Sequence, residues 1–322
     1  MDNKITKKRL SEYLSYEWIL MIIIAVVCII AWELIYTMTG VKLTVGQNFK
    51  YYYDQTVYVG TEENLYNVLT ENKTFSYDVL DVKTETLASD YNVLSVRLSV
   101  QEGDILFTDC VEPKEDDKNT TVRAKEMVDS YDVYDYDLLC ADAEEYLAQF
   151  LKDGLTKDSV DVADFNNLDV AKIDKVFRER MKKDNRFRSE EQKVQGLKLE
   201  VERIKDLCDE VRKFRILLSQ GDEYFFTYKK YEQLLTDETL REDVREQYEK
   251  TKDTTPKKYG LKVEALKDGE YTPSKFFKVK GSDTAKDVVV MAFNFRKYQP
   301  HLQFETISFI NTIVGACSNL YD

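Results

Sequence analysis

Histidine is almost missing from this 322-residue chain, with His301 standing alone. One imidazole per chain excludes a His-based catalytic triad, a histidine acid–base pair and a multi-histidine metal site assembled within one copy. Its position beside Pro300, at an expected helix start, suits a surface or helix-end residue. Glycine is also scarce, eleven in all, and neither GxGxxG nor GxxxxGK occurs, so the loops that cradle nucleotide phosphates are absent. Among the five cysteines there is no CxxC pair. Cys110, Cys140, Cys208 and Cys317 are too few and too widely spaced for a disulfide scaffold, and leave room for one bridge or none.

A basic excess is lacking as well. The chain has 59 acidic and 46 basic residues, net −13. Residues 1–38 hold four of each, so 55 acidic and 42 basic residues remain beyond them, and the outer part carries the whole imbalance. That argues against nucleic acid as a partner and against adhesion to anionic lipid through a basic patch. Residues 39–322 are 284 in number, counted along the sequence, and the chain's 43% hydrophobic and 12% aromatic content marks a folded body.

What the chain does have is one long apolar run, WILMIIIAVVCIIAWELIYTM, from Trp18 to Met38. At about 1.5 Å per residue, a helix of this length covers roughly 30 Å, the thickness of a bilayer's hydrocarbon core. Glu33 is its only charge and lies near one end, while Trp18 and Trp32 suit the interfacial levels. Lys4, Lys7, Lys8 and Arg9 precede the run and predict a cytoplasmic N-terminus. A cleaved signal peptide is the rival reading, but the run is long, and Tyr36-Thr37-Met38-Thr39-Gly40 offers no small-x-small cleavage site. Cys28 follows Val27 outside any lipoprotein box and reads as a small apolar residue of the span. The expected division is a tail over 1–17, a membrane anchor over 18–38 and an extracellular domain over 39–322 of a cell-membrane protein.

Beyond the anchor, residues 40–60 read as a connector and a strand ending in Thr56-Val57-Tyr58-Val59. TEENLYNVLTEN, with Thr61 as cap, reads as a short helix. YDVLDVKTETL alternates like a strand, and SDYNVLSVRLSVQEG reads as a helix burying Tyr91, Leu94 and Leu98. The apolar strand Asp104 to Asp109 follows. Strand, helix, strand, helix, strand implies an α/β fold with parallel strands and a ligand crevice beyond their carboxyl ends. Those ends fall at Gly60 and Thr61, near Thr84, and at Thr108 and Asp109.

The block YNVLSVRLSVQEGDILFTD, a helix ending in Glu-Gly-Asp that runs straight into a short apolar strand, resembles extracellular solute-binding proteins of the periplasmic-binding-protein-like class II fold. The late apolar run Val288 to Phe293 and the C-terminal helix FETISFINTIV are similar to the end of those proteins, where the chain returns to its first lobe. The resemblance implies a bilobal ectodomain, with lobe 1 over about 55–110 and 285–322 and lobe 2 over about 120–284. It also implies a ligand held between lobes that close on a hinge, and a membrane transporter as partner. Carried onto this chain, the ligand contacts are Thr61, Thr84, Thr108 and Asp109, with Tyr134 as an aromatic candidate.

The middle departs from that family by being more charged and richer in helix. SYDVYDYD, Ser130 to Asp137, is either a sugar-stacking element or an acidic loop whose tyrosines fold onto the core, and the second is preferred. Neither Asp132/Asp135/Asp137 nor the acids between Asp158 and Asp169 have the spacing of an EF-hand calcium loop. Asp169 caps one helix, and Ser189-Glu190-Glu191 opens a long one reaching about Ser219. In that long helix Val194, Leu197, Val201, Ile204, Cys208, Val211 and Leu218 form a seam broken by Arg215. A helix packed on its own domain is preferred there over a coiled-coil handle. Residues 221–250 read as a further helical pair, and 260–281 as strand, turn at Asp268-Gly269 and strand. In the final helix Leu302, Ile307, Ile310, Ile313, Val314 and Cys317 form an apolar stripe. Asn72-Lys73-Thr74 and Asn119-Thr120-Thr121 match glycosylation sequons, a pattern that chance often produces.

Three functions follow in order of preference. The first is a non-enzymatic, membrane-anchored extracellular binding module for a small solute, resembling a bacterial ABC-transporter solute-binding protein, with no cofactor and no metal. The second is an accessory protein whose ectodomain docks another protein through the helical middle. The third is an anchored hydrolase using paired carboxylates.

Overall fold

The computed structural model describes residues 7–39, 47–59, 64–87, 92–112, 122–232, 241–251, 255–295 and 300–322. It divides into two compact units, Met1–Thr44 and Val45–Asp322. The first holds helix α1 (Lys7–Thr39). Within it Trp18–Tyr36 has a mean hydropathy of 2.8 and none of it is buried, so among the described residues one helix is long and apolar enough to cross a membrane.

The second unit is mixed α/β. Its sheet is built from β1 (Asn48–Tyr53), β3 (Asp81–Thr86), β4 (Ile105–Asp109), β5 (Phe225–Tyr228), β6 (Lys257–Lys262) and β8 (Val288–Ala292), in the order β3-β1-β4-β8-β6-β5. As the alternation of helix and strand predicted, β1 pairs in parallel with both β3 and β4. The late strand β8 lies at the centre, antiparallel to β4 with Phe107 opposite Val290, and β6 and β5 continue the sheet antiparallel. A separate ribbon pairs β2 (Val57–Val59) with β7 (Phe277–Val279).

Because side chains alternate across a strand, each strand supplies two faces. Phe49, Tyr51 and Tyr53 of β1 join Ile105, Phe107, Val288, Val290, Leu261 and Phe225 on one face. There they pack against α2 (Leu65–Glu71), α5 (Tyr136–Ala148), α7 (Glu190–Leu218) and α10 (Glu305–Cys317). The opposite face, with Tyr52, Leu106, Val289, Met291 and Phe226, packs against Leu94 of α3 (Asn92–Ser99) and Ala124, Met127 and Val128 of α4 (Arg123–Ser130). Covering on both faces explains why β8 reads as an unbroken apolar run and why all five residues of β4 are buried. Edge strand β3, DVKTET, is half-exposed and charged, which discourages pairing with another chain. Gly260 of β6 is required where it stands, since a Cβ there would collide with Val289 Cγ1 and meet the Val290 carbonyl at 2.9 Å.

Four sequence expectations need correction. The first strand ends at Tyr53, not near Gly60, because Asp54 opens a turn in which Val57 N–H donates to the Asp54 carbonyl at 2.9 Å. Residues 57–59 then leave the main sheet to pair with β7. The short helix is capped by Asn64, whose side chain accepts from Tyr66 N–H, and Thr61 lies outside the described residues, as do Ser89 and Tyr91. Within 221–250, Phe225-Phe226-Thr227-Tyr228 is a strand and not helix, since it suits a sheet edge, and Glu242–Thr251 is a helix, α8, while 233–240 lie outside the described residues. Finally, strands expected in separate lobes, β4 and β8 in one and β5 and β6 in the other, share one sheet inside one compact unit. The helical middle packs onto that sheet rather than onto a second one.

Other readings agree with the structure. Asp169 caps α6 (Val170–Arg180), and Ser189 caps α7 with a full capping box to Gln192. The buried positions of α7, among them Ile204, Cys208, Val211 and Phe214, face its own domain. The chain reaches α10 through the short α9 (Pro300–Gln303), and Leu302, Ile307, Ile310, Ile313, Val314 and Cys317 are all buried.

Candidate functional site: a polar groove between two helices

The carboxyl ends of the parallel strands were the expected ligand crevice. Asp54, Thr108 and Asp109 meet there and are 0%, 0% and 5% exposed. Thr108 Oγ1 donates to Asp54 Oδ2 at 3.3 Å, and Thr56 N–H donates to Asp54 Oδ1 at 3.2 Å. Asp109 accepts from Val111 N–H at 3.1 Å, and burial, reinforced by the nearby Asp54 carboxylate, pushes its pKa above the ordinary range. Thr108 and Asp109, neighbours at the end of β4, are 0% and 5% exposed, and both bond within the domain. Thr84 is apart from them, exposed on edge strand β3 beside a shallow cavity of about 180 Å³ shared with Tyr51, Tyr53 and Tyr66. Tyr134 is 2% exposed, and its hydroxyl donates to Asp142 at 3.0 Å, so it serves the core.

Accessible space lies elsewhere. A groove of about 690 Å³ runs along α7 and α10 and is lined also by the α2–β3 loop and by Tyr271 and Tyr321. Helical spacing makes it. Glu202, Asp206, Asp209, Glu210 and Lys213 recur at three- and four-residue steps on one flank of α7, and Glu305, Ser308, Asn311 and Thr312 do so on α10. The apolar stripe of α10 holds it to the core, and this polar flank is what remains beside the stripe.

The inner wall is rigid. Arg203 is 5% exposed and uses its guanidinium on Glu200 (3.0 and 2.9 Å), the His301 carbonyl (2.7 Å) and the Tyr146 hydroxyl (2.8 Å). Glu200 also accepts from Tyr77 Oη at 2.7 Å and Arg180 Nη2 at 2.6 Å. Despite burial, these cations and donors hold its carboxyl down at about 2. Glu305 is 6% exposed and accepts from Ser76 N–H at 3.2 Å and from the Ser76 hydroxyl. Burial raises its pKa against the opposing pull of Arg203 and Ser76. On the rim Asn311 Nδ2 donates to the Glu210 carboxylate at 2.8 Å, and Tyr321 donates to Asn311 Oδ1 at 2.7 Å.

The groove is acidic. Seven carboxylates line it, Glu202, Asp206, Asp209, Glu210, Glu270, Glu305 and Asp322, against three cations, Lys73, Arg203 and Lys213. Arg203 is committed to Glu200, and Lys213 pairs with Glu210 at 2.7 Å. Asp206 has its pKa raised by burial and then by its neighbours Glu202, Asp209 and Glu210. A cation seated there would relieve that repulsion. Among the described residues no group of three or more His, Cys, Asp or Glu side chains is arranged to hold a metal ion. The sequence signal for this site was the polar flank Ser308, Asn311 and Thr312 inside an otherwise apolar helix, together with the acidic row on α7. Comparison of the chain with protein families, with curated proteins and with solved structures gives no match, so the site is read from its own geometry.

Proposed function

We propose that this chain is a non-enzymatic binding protein held in the cell membrane by α1, with Val45–Asp322 outside the cell, and that its ligand is a small cationic solute. The groove on α7 and α10 takes an amine- or guanidinium-bearing molecule that also presents hydroxyl or carbonyl groups. Glu202 and Asp206 supply charge, while Ser308, Thr312 and Tyr271 supply hydrogen bonds. One observation carries the reading: an open groove of about 690 Å³ lined by seven acidic and three basic side chains, in which Glu202 and Asp206 have no ion pair among the described residues while Asp209 and Glu210 are paired with Arg212 and Lys213. That volume lies within the roughly 300–1,000 Å³ usual for small-molecule sites. The central position of β8 with the C-terminal helix after it supports kinship with solute-binding proteins, and a transporter permease is the partner that kinship implies. The ligand position differs from the one expected of that family, being a helix groove and not an interlobe cleft.

A second reading, an accessory protein that docks another protein, is favoured by one feature. Val93, Val96 and Val100 follow three- and four-residue steps along α3 and just beyond it, and are 37%, 61% and 47% exposed. Thermal unfolding of the chain against spermidine, arginine, glucosamine, neutral sugars and dicarboxylates separates the two. A ligand at one hundred times its Kd stabilises the folded state by about 2.7 kcal/mol. A rise of the midpoint with the cationic compounds alone supports the groove. Flat curves with every compound, from a chain that unfolds cooperatively, refute it and leave the docking reading.

A further inference from the structure

The chain carries net −13, yet its charge reverses locally between Arg178 and Lys193. That stretch holds seven basic residues, Arg178, Arg180, Lys182, Lys183, Arg186, Arg188 and Lys193, against four acidic ones, Glu179, Asp184, Glu190 and Glu191. Two of the cations are drawn inward. Arg180 pairs with Glu200 and Asp78, and Arg186 pairs with Asp78 and Asp184. Four others, Arg178, Lys182, Arg188 and Lys193, converge on one cavity of about 440 Å³ that also touches Asp184, Asn185 and Phe187 and brackets the first turn of α7.

Two of the four acids of this stretch, Asp184 and Glu190, are already engaged. Asp184 is held by the Arg186 guanidinium, with Nε at 3.0 Å and Nη2 at 2.8 Å from Oδ2. Glu190 lies between Arg178 Nη1 at 2.9 Å and Lys193 Nζ at 2.7 Å, which hold its carboxyl down at about 2. Lys182 and Arg188 form no salt bridge among the described residues, and both are exposed. Arg188 is oriented all the same, because Asn185 Oδ1 accepts from its Nε at 2.9 Å and also from Nη2. The wall behind is stiff. Phe187 stacks edge-on to Phe177 at 5.4 Å, and Gly196 lets both rings lie against α7, where a Cβ would meet each at 2.5 Å.

We infer that this cavity is an anion site that binds a phosphate or pyrophosphate group between Lys182 and Arg188, the two lining cations that no carboxylate among the described residues pairs. An oriented guanidinium presents paired N–H donors to a phosphoryl oxygen pair, and a nearby ammonium adds a point charge. The site is distinct from the acidic groove and selects the opposite charge, so each assignment stands or falls by itself. The phosphate can belong to a free solute or to a lipid headgroup.

The test is calorimetric titration of inorganic pyrophosphate into the full chain held in zwitterionic nanodiscs at low salt, with Lys182→Ala/Arg188→Ala and Arg188→Lys alongside. Saturable one-to-one binding is expected, weakened roughly ten- to a hundredfold in the double variant, as loss of two charge-assisted contacts implies, and less in Arg188→Lys, which keeps the charge but loses the fork. Both side chains are exposed, so the unfolding midpoint should hold in every variant. No saturable binding, or equal affinity in the double variant, overturns the site. Repeating the titration with phosphatidylglycerol in the disc identifies the source. Competition by the lipid that depends on Lys182 and Arg188 assigns a headgroup phosphate, and unchanged pyrophosphate affinity assigns a free one.

Discussion

Replacing Arg203 by leucine should be among the most damaging single changes available to this domain. Arg203 is 5% exposed and its partner Glu200 is 1% exposed. Four hydrogen bonds end on the Glu200 carboxylate: two from Arg203, at 3.0 and 2.9 Å, one from Arg180 at 2.6 Å and one from Tyr77 at 2.7 Å. Removing Arg203 leaves that carboxylate with half its donors and also takes away the donors to the Tyr146 hydroxyl and the His301 carbonyl. Breaking one side of a buried ion pair costs about 3–5 kcal/mol, because the remaining charge stays desolvated. At about 2–4 °C per kcal/mol for a domain of this size, the unfolding midpoint should fall by roughly 6–20 °C. The pH profile gives an independent readout. Glu200 titrates at about 2 in the folded chain against 4.5 when unperturbed, so its contribution is complete above the unfolded value and is lost as pH falls from about 5 towards 2. In Arg203→Leu the folded pKa rises and that acid-side loss shrinks. Glu200→Gln/Arg203→Leu, with both charges gone, should recover part of the stability. Urea melts of the three variants from pH 3 to pH 8 measure all of this. An Arg203→Leu protein within 1 kcal/mol or so of the parent across that range would refute the reasoning.

Three further outcomes are expected. Glu305 is the opposite case: its folded pKa is raised, so its ionised form opposes folding, and stability falls as pH rises from the unfolded pKa through the folded one. Glu305→Gln should therefore be at least as stable as the parent at pH 7 and lose that pH dependence, and a marked destabilisation in urea melts would show that the carboxylate itself is needed. Gly196→Ala forces a Cβ to within 2.5 Å of both Phe177 and Phe187, an overpacking cost of about 1–3 kcal/mol that thermal unfolding would reveal, with no change meaning that the rings move aside freely. Ser189→Ala removes the capping box of α7 and should cost about 1 kcal/mol, read from the denaturant midpoint, while Ser189→Asp should leave it unchanged.

Some of this structure is written locally and some only in tertiary contact. The start of α7 is legible because Ser189 and Gln192 satisfy the helix's first amides within four residues, and β8 is legible because VVVMA has no polar side chain to turn outward. The end of β1 is less so. Tyr51-Tyr52-Tyr53 and Val57-Tyr58-Val59 have equal strand character, and only Asp54 and its backbone turn decide which leads into the sheet. β5 is hidden because its four residues sit among charges and its partner is distant, Phe225 pairing with Leu261. The two-lobed division failed to appear because the charged, helix-rich middle finds enough apolar surface on the one sheet to bury α5 and α7. The groove was legible only as two unrelated polar rows. Their meeting depends on contacts such as Asn311 with Glu210, 101 residues apart, which no local pattern encodes.

The proposal that this chain binds cationic solutes rests most directly on the carboxylates of α7. Calorimetric titration of spermidine into the full chain and into Glu202→Gln/Asp206→Asn is the decisive measurement. Saturable one-to-one binding to the parent, lost or weakened at least roughly tenfold in the double variant with an unchanged unfolding midpoint, is the expected result. Absence of binding to the parent up to millimolar spermidine, or equal affinity in the variant, would contradict it.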